Sequence, residues 1–215
     1  IMIDYGNAIH PNCGEYENIN DILVTPFFTK EFCNTLCEVS KKLDNKFSFW
    51  QQNHTTHSHE GDLYFNQLYF SDISHFLFVD FTKHYSKHIL PIIAKEWPVT
   101  TIDGWYSPFV VKYDSSNKDT LQLHNDISLI TLVVKLNDDY EGGHLEFPRQ
   151  GYSGKDLPVG YAQIWPSAVT HPHRVTPVTS GMRYSMTSWT WPYSWNDPMG
   201  IGYDEKIHGL RVKDV

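Results

Sequence analysis

Between Trp105 and Trp191 the chain is cut into short runs rich in Val, Ile, Thr and aromatic residues: Phe109–Tyr113, Ser128–Leu136, His144–Phe147, Gly160–Trp165 and Arg183–Trp191. Gly, Pro, Asn and Asp separate them. Several short strands at such spacing close most readily as a double-sheet jelly roll. At 215 residues the chain has the length of one large domain, and 40% hydrophobic with 20% charged residues is ordinary for a chain that buries a core.

Upstream, the character is helical. Phe32, Leu36, Val39 and Leu43 fall on one side of a helix over Thr29–Leu43, with Thr29 as its N-cap. Residues Ser74–Ile93 resume helical periodicity and are expected to end near Pro91. The polar segment Gln51–Gly61, with His54, His57 and His59, reads as a loop. The division expected is a helical and loop support region over 1–104, a β core over 105–191 and a tail over 192–215, together one domain.

Charge and cysteine content bound the partners. Seventeen Lys and Arg against 25 Asp and Glu give a net charge of −8, without the basic stripe a nucleic-acid binder needs. No apolar run reaches the ~18 residues of a membrane span. The chain starts at Ile1 with no initiator Met and no targeting pattern, so it reads as a piece excised from a longer protein. Cys13, Cys33 and Cys37 are too few for a disulfide scaffold; a Cys13–Cys33 bridge is the pairing expected, with Cys37 a buried thiol.

The chemistry-bearing pattern is His124-Asn125-Asp126 at the mouth of a strand, where residues two apart face the same side. One further His completes two imidazoles and a carboxylate. Three such ligands on one octahedral face leave three positions open, the arrangement of non-haem Fe(II) oxygenases. His171 and His173 are both candidates and facing does not choose between them. Arg183, ten residues after His173 on the next expected strand, favours His173 and leaves His171 a structural neighbour. A buried guanidinium needs an anion, and its fork suits a carboxylate. Iron with open positions and an Arg at one remove describes a pocket for a bidentate keto acid.

Phe109 to Trp189 resembles the 2-oxoglutarate- and Fe(II)-dependent dioxygenases, and more closely the C-terminal catalytic domain of procollagen lysyl hydroxylases. The likeness rests on Phe109-Val110-Val111-Lys112-Tyr113, on His124-x-Asp126-x-Ser128 with Thr131, Leu136 and Asn137, and on Tyr140-Glu141-Gly142-Gly143 with Phe147. It continues through Gly160, Pro166, Thr170-His171-x-His173 and Gly181-x-Arg183-Tyr184. Upstream it is looser, at Cys13, Pro26-Phe27, Phe32-Cys33, Asp62 and Gln67. The departures are a short loop from Asn137 to Tyr140, His144 and Glu146 in place of small and basic residues, and a longer tail to Val215.

The resemblance implies a double-stranded β-helix (a cupin-like jelly roll, mainly β with flanking N-terminal helices), with Fe(II) on His124, Asp126 and His173. It implies 2-oxoglutarate on Arg183, with Tyr113 and Ser185 beside it, and L-ascorbate keeping the iron reduced. The activity it implies is hydroxylation of peptidyl-lysine at C5 in collagen-like sequences, yielding succinate and CO2, by a homodimer of the endoplasmic reticulum lumen or, for a viral member, of the virion or host cell. The acidic surplus agrees with a lysine-bearing partner. A prolyl hydroxylase, a non-catalytic jelly-roll binding module and a zinc hydrolase are the alternatives. His144 with Glu146, and His54, His57 and His59, are candidates for a second metal, with solvated surface the plainer reading. Trp189, Trp191 and Trp195 could line a substrate groove or pack the core.

Overall fold

The computed structural model describes residues 3–52, 63–98, 102–116 and 119–192. In chain order the elements are β1 (Glu17–Ile19), β2 (Ile22–Pro26), α1 (Lys30–Lys42), a 3-10 turn (Asp44–Lys46), β3 (Ser48–Gln52), β4 (Leu63–Tyr69), α2 (Phe70–Ile73), α3 (His75–His88) and α4 (Leu90–Glu96). There follow β5 (Ile102–Trp105), β6 (Phe109–Asp114), β7 (Leu121–His124), β8 (Ile130–Lys135), β9 (Tyr140–Gly142), β10 (Leu145–Phe147), β11 (Tyr152–Ser153), β12 (Tyr161–Pro166), β13 (His173–Val175) and β14 (Val178–Pro192). The main sheet runs β1-β2-β12-β8-β14-β6-β4-β3, with β5 and β9 paired to the two ends of β14; a second sheet runs β11-β10-β13-β7. The pairings are antiparallel. This is the mainly β, jelly-roll architecture expected.

Period-two alternation makes the main sheet a partition between two cores. On β8, Ile130, Leu132 and Val134 join one cluster with α1 and α3; on β14, Tyr184 and Met186 do the same. Val133 of β8, with Phe109, Val111 and Tyr113 of β6, faces the other way, toward Leu145, Phe147 and Val175 of the second sheet. The first cluster anchors helices and the second lines the space between sheets.

Helix α1 forms where the sequence places it. Thr29 caps it, its Oγ1 accepting from the Phe32 N–H at 3.2 Å, and Phe32, Leu36 and Val39 are buried. The second helical segment differs from expectation. It breaks at Ile89, and Pro91 sits in the first turn of α4 instead of ending the helix. A proline is tolerated there because first-turn N–H groups have no intrahelical partner.

The support region is also more than helix and loop: β2 pairs with β12, β4 with β6, and β5 with β14. Its strands therefore extend the main sheet beyond 105–191. The last strand starts earlier than expected, at Val178, and β10 starts at Leu145.

The Cys13–Cys33 bridge does not form; all three cysteines are free. Cys13 Sγ lies 3.2 Å from His84 Nε2, Cys33 is buried in the first turns of α1, and Cys37 Sγ donates to the Leu136 carbonyl at 3.7 Å. Burial pushes each thiol up to about 12. His54, His57, His59, Asp62, Trp195 and the tail after Pro192 lie outside the described residues.

Candidate metal centre

His124 ends β7 and His173 opens β13, and the two are directly paired across these antiparallel strands. Opposite residues in such a pair project side by side on one face, and the imidazole centroids stand 4.4 Å apart. Asp126 comes from the loop beyond β7, so strand alternation does not aim it. A buried staple does. Ser128 Oγ donates to the Ile130 carbonyl at 2.7 Å and accepts from Thr190 N–H at 3.1 Å, while Leu129 N–H donates to the Thr190 carbonyl at 3.0 Å. Thr131 Oγ1 then donates to Asp126 Oδ2 at 2.8 Å.

The three side chains converge. Asp126 Oδ1 lies 3.2 Å from His124 Nε2 and Oδ2 lies 3.5 Å from His173 Nε2. Together they form the one group of three or more potential ligands among the described residues, with one ligand atom from each within 4.8 Å of the others. The tautomers follow from the other ring nitrogens. His124 Nδ1 is 2.7 Å from the Gln122 carbonyl and His173 Nδ1 is 3.0 Å from the His171 carbonyl. A carbonyl only accepts, so each Nδ1 carries the proton and each Nε2 presents a lone pair. Two lone pairs and a carboxylate aimed at one point are a donor set short of a cation.

The electrostatics agree. Burial opposes the charge on Asp126, yet His173, His124 and the Thr131 hydroxyl together hold its carboxyl down at about 2. Burial also lowers His173 below the ordinary imidazole value despite the neighbouring Asp126. Phe147 and Trp165, with ring centroids 5.4 and 4.9 Å from that of His173, clamp the imidazole in apolar surroundings. A divalent metal requires an anionic carboxylate and neutral imidazoles, and the low carboxyl of Asp126 and the lowered His173 both lie in that direction.

His171 takes no part. Pro172 separates it from the strand, its Nδ1 lies 2.8 Å from Thr170 Oγ1, and it lines a different, open groove with Asn20, Asp21 and Gln150. His144 and Glu146 form no metal site either, since Glu146 Oε2 is held by Arg174 Nε at 3.0 Å and Nη2 at 2.9 Å.

Arg183, Ser185, Thr187 and Trp189 alternate along β14 and all face the cavity that the triad opens into. Arg183 is 5% exposed, and no described carboxylate forms an ion pair with it. Its Nη1 donates to Ser185 Oγ at 3.0 Å, and its guanidinium carbon lies 5.1 Å from the centroid of the Tyr113 ring. Tyr140 also hydrogen-bonds Arg183; burial raises this phenol and the guanidinium lowers it. Gly143 makes room for the arginine stem, because a Cβ there would fall 2.9 Å from Arg183 Cδ. A buried cation so placed, hydrogen-bonded to hydroxyls and without a counter-ion, suits a carboxylate of a bound molecule.

The structure thus gathers the six residues singled out from sequence: His124, Asp126 and His173 at one end of the cavity, Arg183, Tyr113 and Ser185 at the other. Sequence reasoning gave Thr131, Tyr140 and the Ser128–Thr190 staple no role at the site. Ser128, Thr131 and Tyr140 entered the sequence reading only as positions of the family resemblance, and Thr190 not at all.

Comparison with known proteins defines the class. Residues 109–191 match the 2OG-Fe(II) oxygenase superfamily, and the chain carries a 2OG-Fe(II) oxygenase domain. The rat procollagen-lysine,2-oxoglutarate 5-dioxygenase 1 is 29% identical over 190 residues, covering 80% of this chain and 24% of that protein. The procollagen lysyl hydroxylase and glycosyltransferase of Acanthamoeba polyphaga mimivirus is 30% identical over 185 residues, covering 80% of this chain and 19% of that protein. The chain therefore spans a quarter or less of the length of these relatives.

Among solved structures, the viral collagen prolyl hydroxylase of Paramecium Bursaria Chlorella virus-1 shares the fold with a TM-score of 0.58 at 17% identity, covering 81% of this chain and 97% of that one. A Trichoplax adhaerens prolyl hydroxylase in complex with a hypoxia-inducible-factor peptide fragment aligns with a TM-score of 0.59 at 20% identity, covering 81% and 84%. Family and triad together support Fe(II) and 2-oxoglutarate as the groups this domain uses.

Proposed function

We propose that this domain hydroxylates peptidyl-lysine at C5 in collagen-like sequences. The observation that carries the dioxygenase part of this reading is one cavity lined by a histidine–aspartate–histidine cluster short of a cation and by a buried arginine short of an anion. His124, Asp126 and His173 would hold Fe(II), and Arg183 with Ser185 and Tyr140 would hold the distal carboxylate of 2-oxoglutarate. When bound, iron, keto acid and O2 supply the oxidant, one oxygen atom entering lysine and the other the succinate left after loss of CO2.

The chain's own residues set the conditions. The Nδ1 protons of His124 and His173 stay on backbone carbonyls, so both Nε2 lone pairs remain available throughout. Thr131 fixes Asp126 Oδ2, and Tyr113 supports the guanidinium from below. Phe109, Val111, Val133 and Leu145 wall the cavity with apolar surface and keep water from the reacting centre. Leu123 and Ile127, beside His124 and Asp126 in sequence, are exposed at 55% and 39% and offer apolar rim contacts for a peptide.

The lysyl preference and a secretory or viral setting rest on the names of the similar relatives, whereas use of L-ascorbate and a homodimeric state rest on the sequence resemblance alone. No helix among the described residues is long and apolar enough to cross a membrane. We further propose that residues 1–215 act as one dioxygenase unit, since β2 and β4 complete the sheet on which the site is built.

Incubation of Gly-X-Lys and Gly-X-Pro collagen-like peptides with the protein, Fe(II), 2-oxoglutarate and ascorbate tests the reading. Mass spectrometry should place one added oxygen on lysine, with succinate formed alongside. Oxygen on proline would establish the prolyl alternative, and binding without succinate would favour a non-catalytic module.

A further inference from the structure

Oxidation of lysine at C5 would bring the ε-ammonium group into the cavity, because that nitrogen is bonded to the neighbouring carbon. This requirement rests on the lysyl reading above. A cation drawn out of water needs carboxylates, polar acceptors or aromatic faces around it. Among the described residues lining the cavity the one carboxylate is Asp126, already held in the histidine cluster, and Arg183 carries the same sign as the substrate.

The metal end offers aromatic surface instead. Trp189 of β14 stands in register with Thr131, the residue that holds Asp126, so its indole belongs to the triad's end of the cavity. Arg183 lies six residues back along the same strand, about 20 Å of extended chain. Phe109, also lining the cavity, meets the indole at a centroid distance of 5.2 Å and an interplanar angle of 84°. Tyr106 also meets the indole, at 6.3 Å and 88°, and Tyr69 backs Phe109 at 5.6 Å and 60°. Rings set nearly perpendicular to one indole form walls instead of a flat stack. The indole Nε1–H is shut off from solvent and has no hydrogen-bond partner among the described residues, so it is the ring faces and not this donor that meet a ligand.

We propose that the Trp189–Phe109 wall, backed by Tyr106 and Tyr69, is the ammonium subsite of this domain and selects a cationic side chain over a neutral one by cation–π attraction. Thr187, one inward position before Trp189 on β14 and in register with Phe109, adds a hydroxyl beside the wall. The anion-binding and cation-binding ends of the cavity are then separated along a single strand, which keeps the keto acid and the lysyl side chain from exchanging places.

The test is calorimetric binding of two collagen-like peptides, alike except for lysine or norleucine at the target position, to protein loaded with Mn(II) and 2-oxoglutarate. The lysyl peptide should bind about tenfold more tightly, the scale of a desolvated cation–π contact. Trp189→Leu should abolish the difference, Trp189→Phe should keep most of it, and neither should change 2-oxoglutarate affinity. Phe109→Leu provides the same comparison from the other wall should Trp189→Leu fail to fold. Equal binding of the two peptides by the unaltered protein, or full discrimination in the leucine variants, overturns the subsite. Ammonium preference in binding without lysine hydroxylation would sink the lysyl reading and leave the subsite standing. Hydroxylation of lysine without ammonium preference would do the reverse.

Discussion

Arg183 and Tyr113 stand opposite each other in register on β14 and β6, and the guanidinium lies over the phenol ring at 5.1 Å. The ring supports the cation from one side while Ser185 and Tyr140 hydrogen-bond it, leaving donors for a ligand carboxylate. Replacing Arg183 by Lys keeps the charge and loses the planar fork. Arg183→Lys should raise the 2-oxoglutarate KM by about tenfold or more, the scale of one charge-assisted hydrogen bond, with Fe(II) affinity unchanged. Steady-state kinetics with varied 2-oxoglutarate checks this; an unchanged KM would show that the carboxylate binds elsewhere.

Thr131 touches Asp126 and no other member of the triad by hydrogen bond. Thr131→Val keeps the shape and removes the donor. Metal affinity should fall by about tenfold, as for other groups that orient a ligand, while the melting temperature in the absence of metal stays close to that of the parent. An anaerobic metal titration beside a melting curve separates the two effects.

Gly160 has φ +87°, and a Cβ added there would fall 2.2 Å from the Phe28 carbonyl oxygen. Its own carbonyl accepts from the Phe27 and Phe28 N–H groups, so the chain cannot draw back without breaking the link between β12 and the strand-to-helix turn at Phe28. Gly160→Ala should destabilise the protein by about 2 kcal/mol or more. Chemical denaturation measures it, and an unchanged midpoint would contradict the packing described.

His84 is buried between Tyr5, at 2.8 Å from Nδ1, and Cys13, at 3.2 Å from Nε2, and stacks on Phe27. Burial, with smaller contributions from His88 and Lys87, lowers it from 6.5 to about 3. Between these values the unfolded chain binds the proton and the folded chain does not. Stability from this group is therefore complete above pH 6.5 and declines as pH falls toward 3, by up to about 1.4 kcal/mol per pH unit. Unfolding midpoints measured from pH 7.5 to 4.5 should show the decline, and His84→Gln should flatten it while lowering stability at the upper end.

How far the sequence carries this account differs by element. The strands of the sheets' interior were legible because Ile130-Thr131-Leu132-Val133-Val134 and its counterparts alternate between two buried faces. The triad was legible from residue type and spacing, although the reason given for Asp126 was incomplete: a hydrogen-bonded loop, not strand alternation, aims it. Pairings between distant segments were not legible. Nothing local in Ile22–Pro26 or Leu63–Tyr69 announces a partner about 40 to 140 residues away, so the strands of the support region were missed. Pro91 misled because its cost depends on where the helix begins, and that was set by the break at Ile89. The expected Cys13–Cys33 bridge failed for a similar reason: the Cys13 thiol meets a histidine of α3.

Anaerobic titration with Fe(II) tests the central claim most directly. The unaltered protein should bind one equivalent per chain, Arg183→Ala should bind the same amount, and Asp126→Ala should bind none at the same concentrations, because two neutral imidazoles hold the ion poorly without the carboxylate. Binding that survives Asp126→Ala, or a parent protein that takes up no iron, would contradict the account.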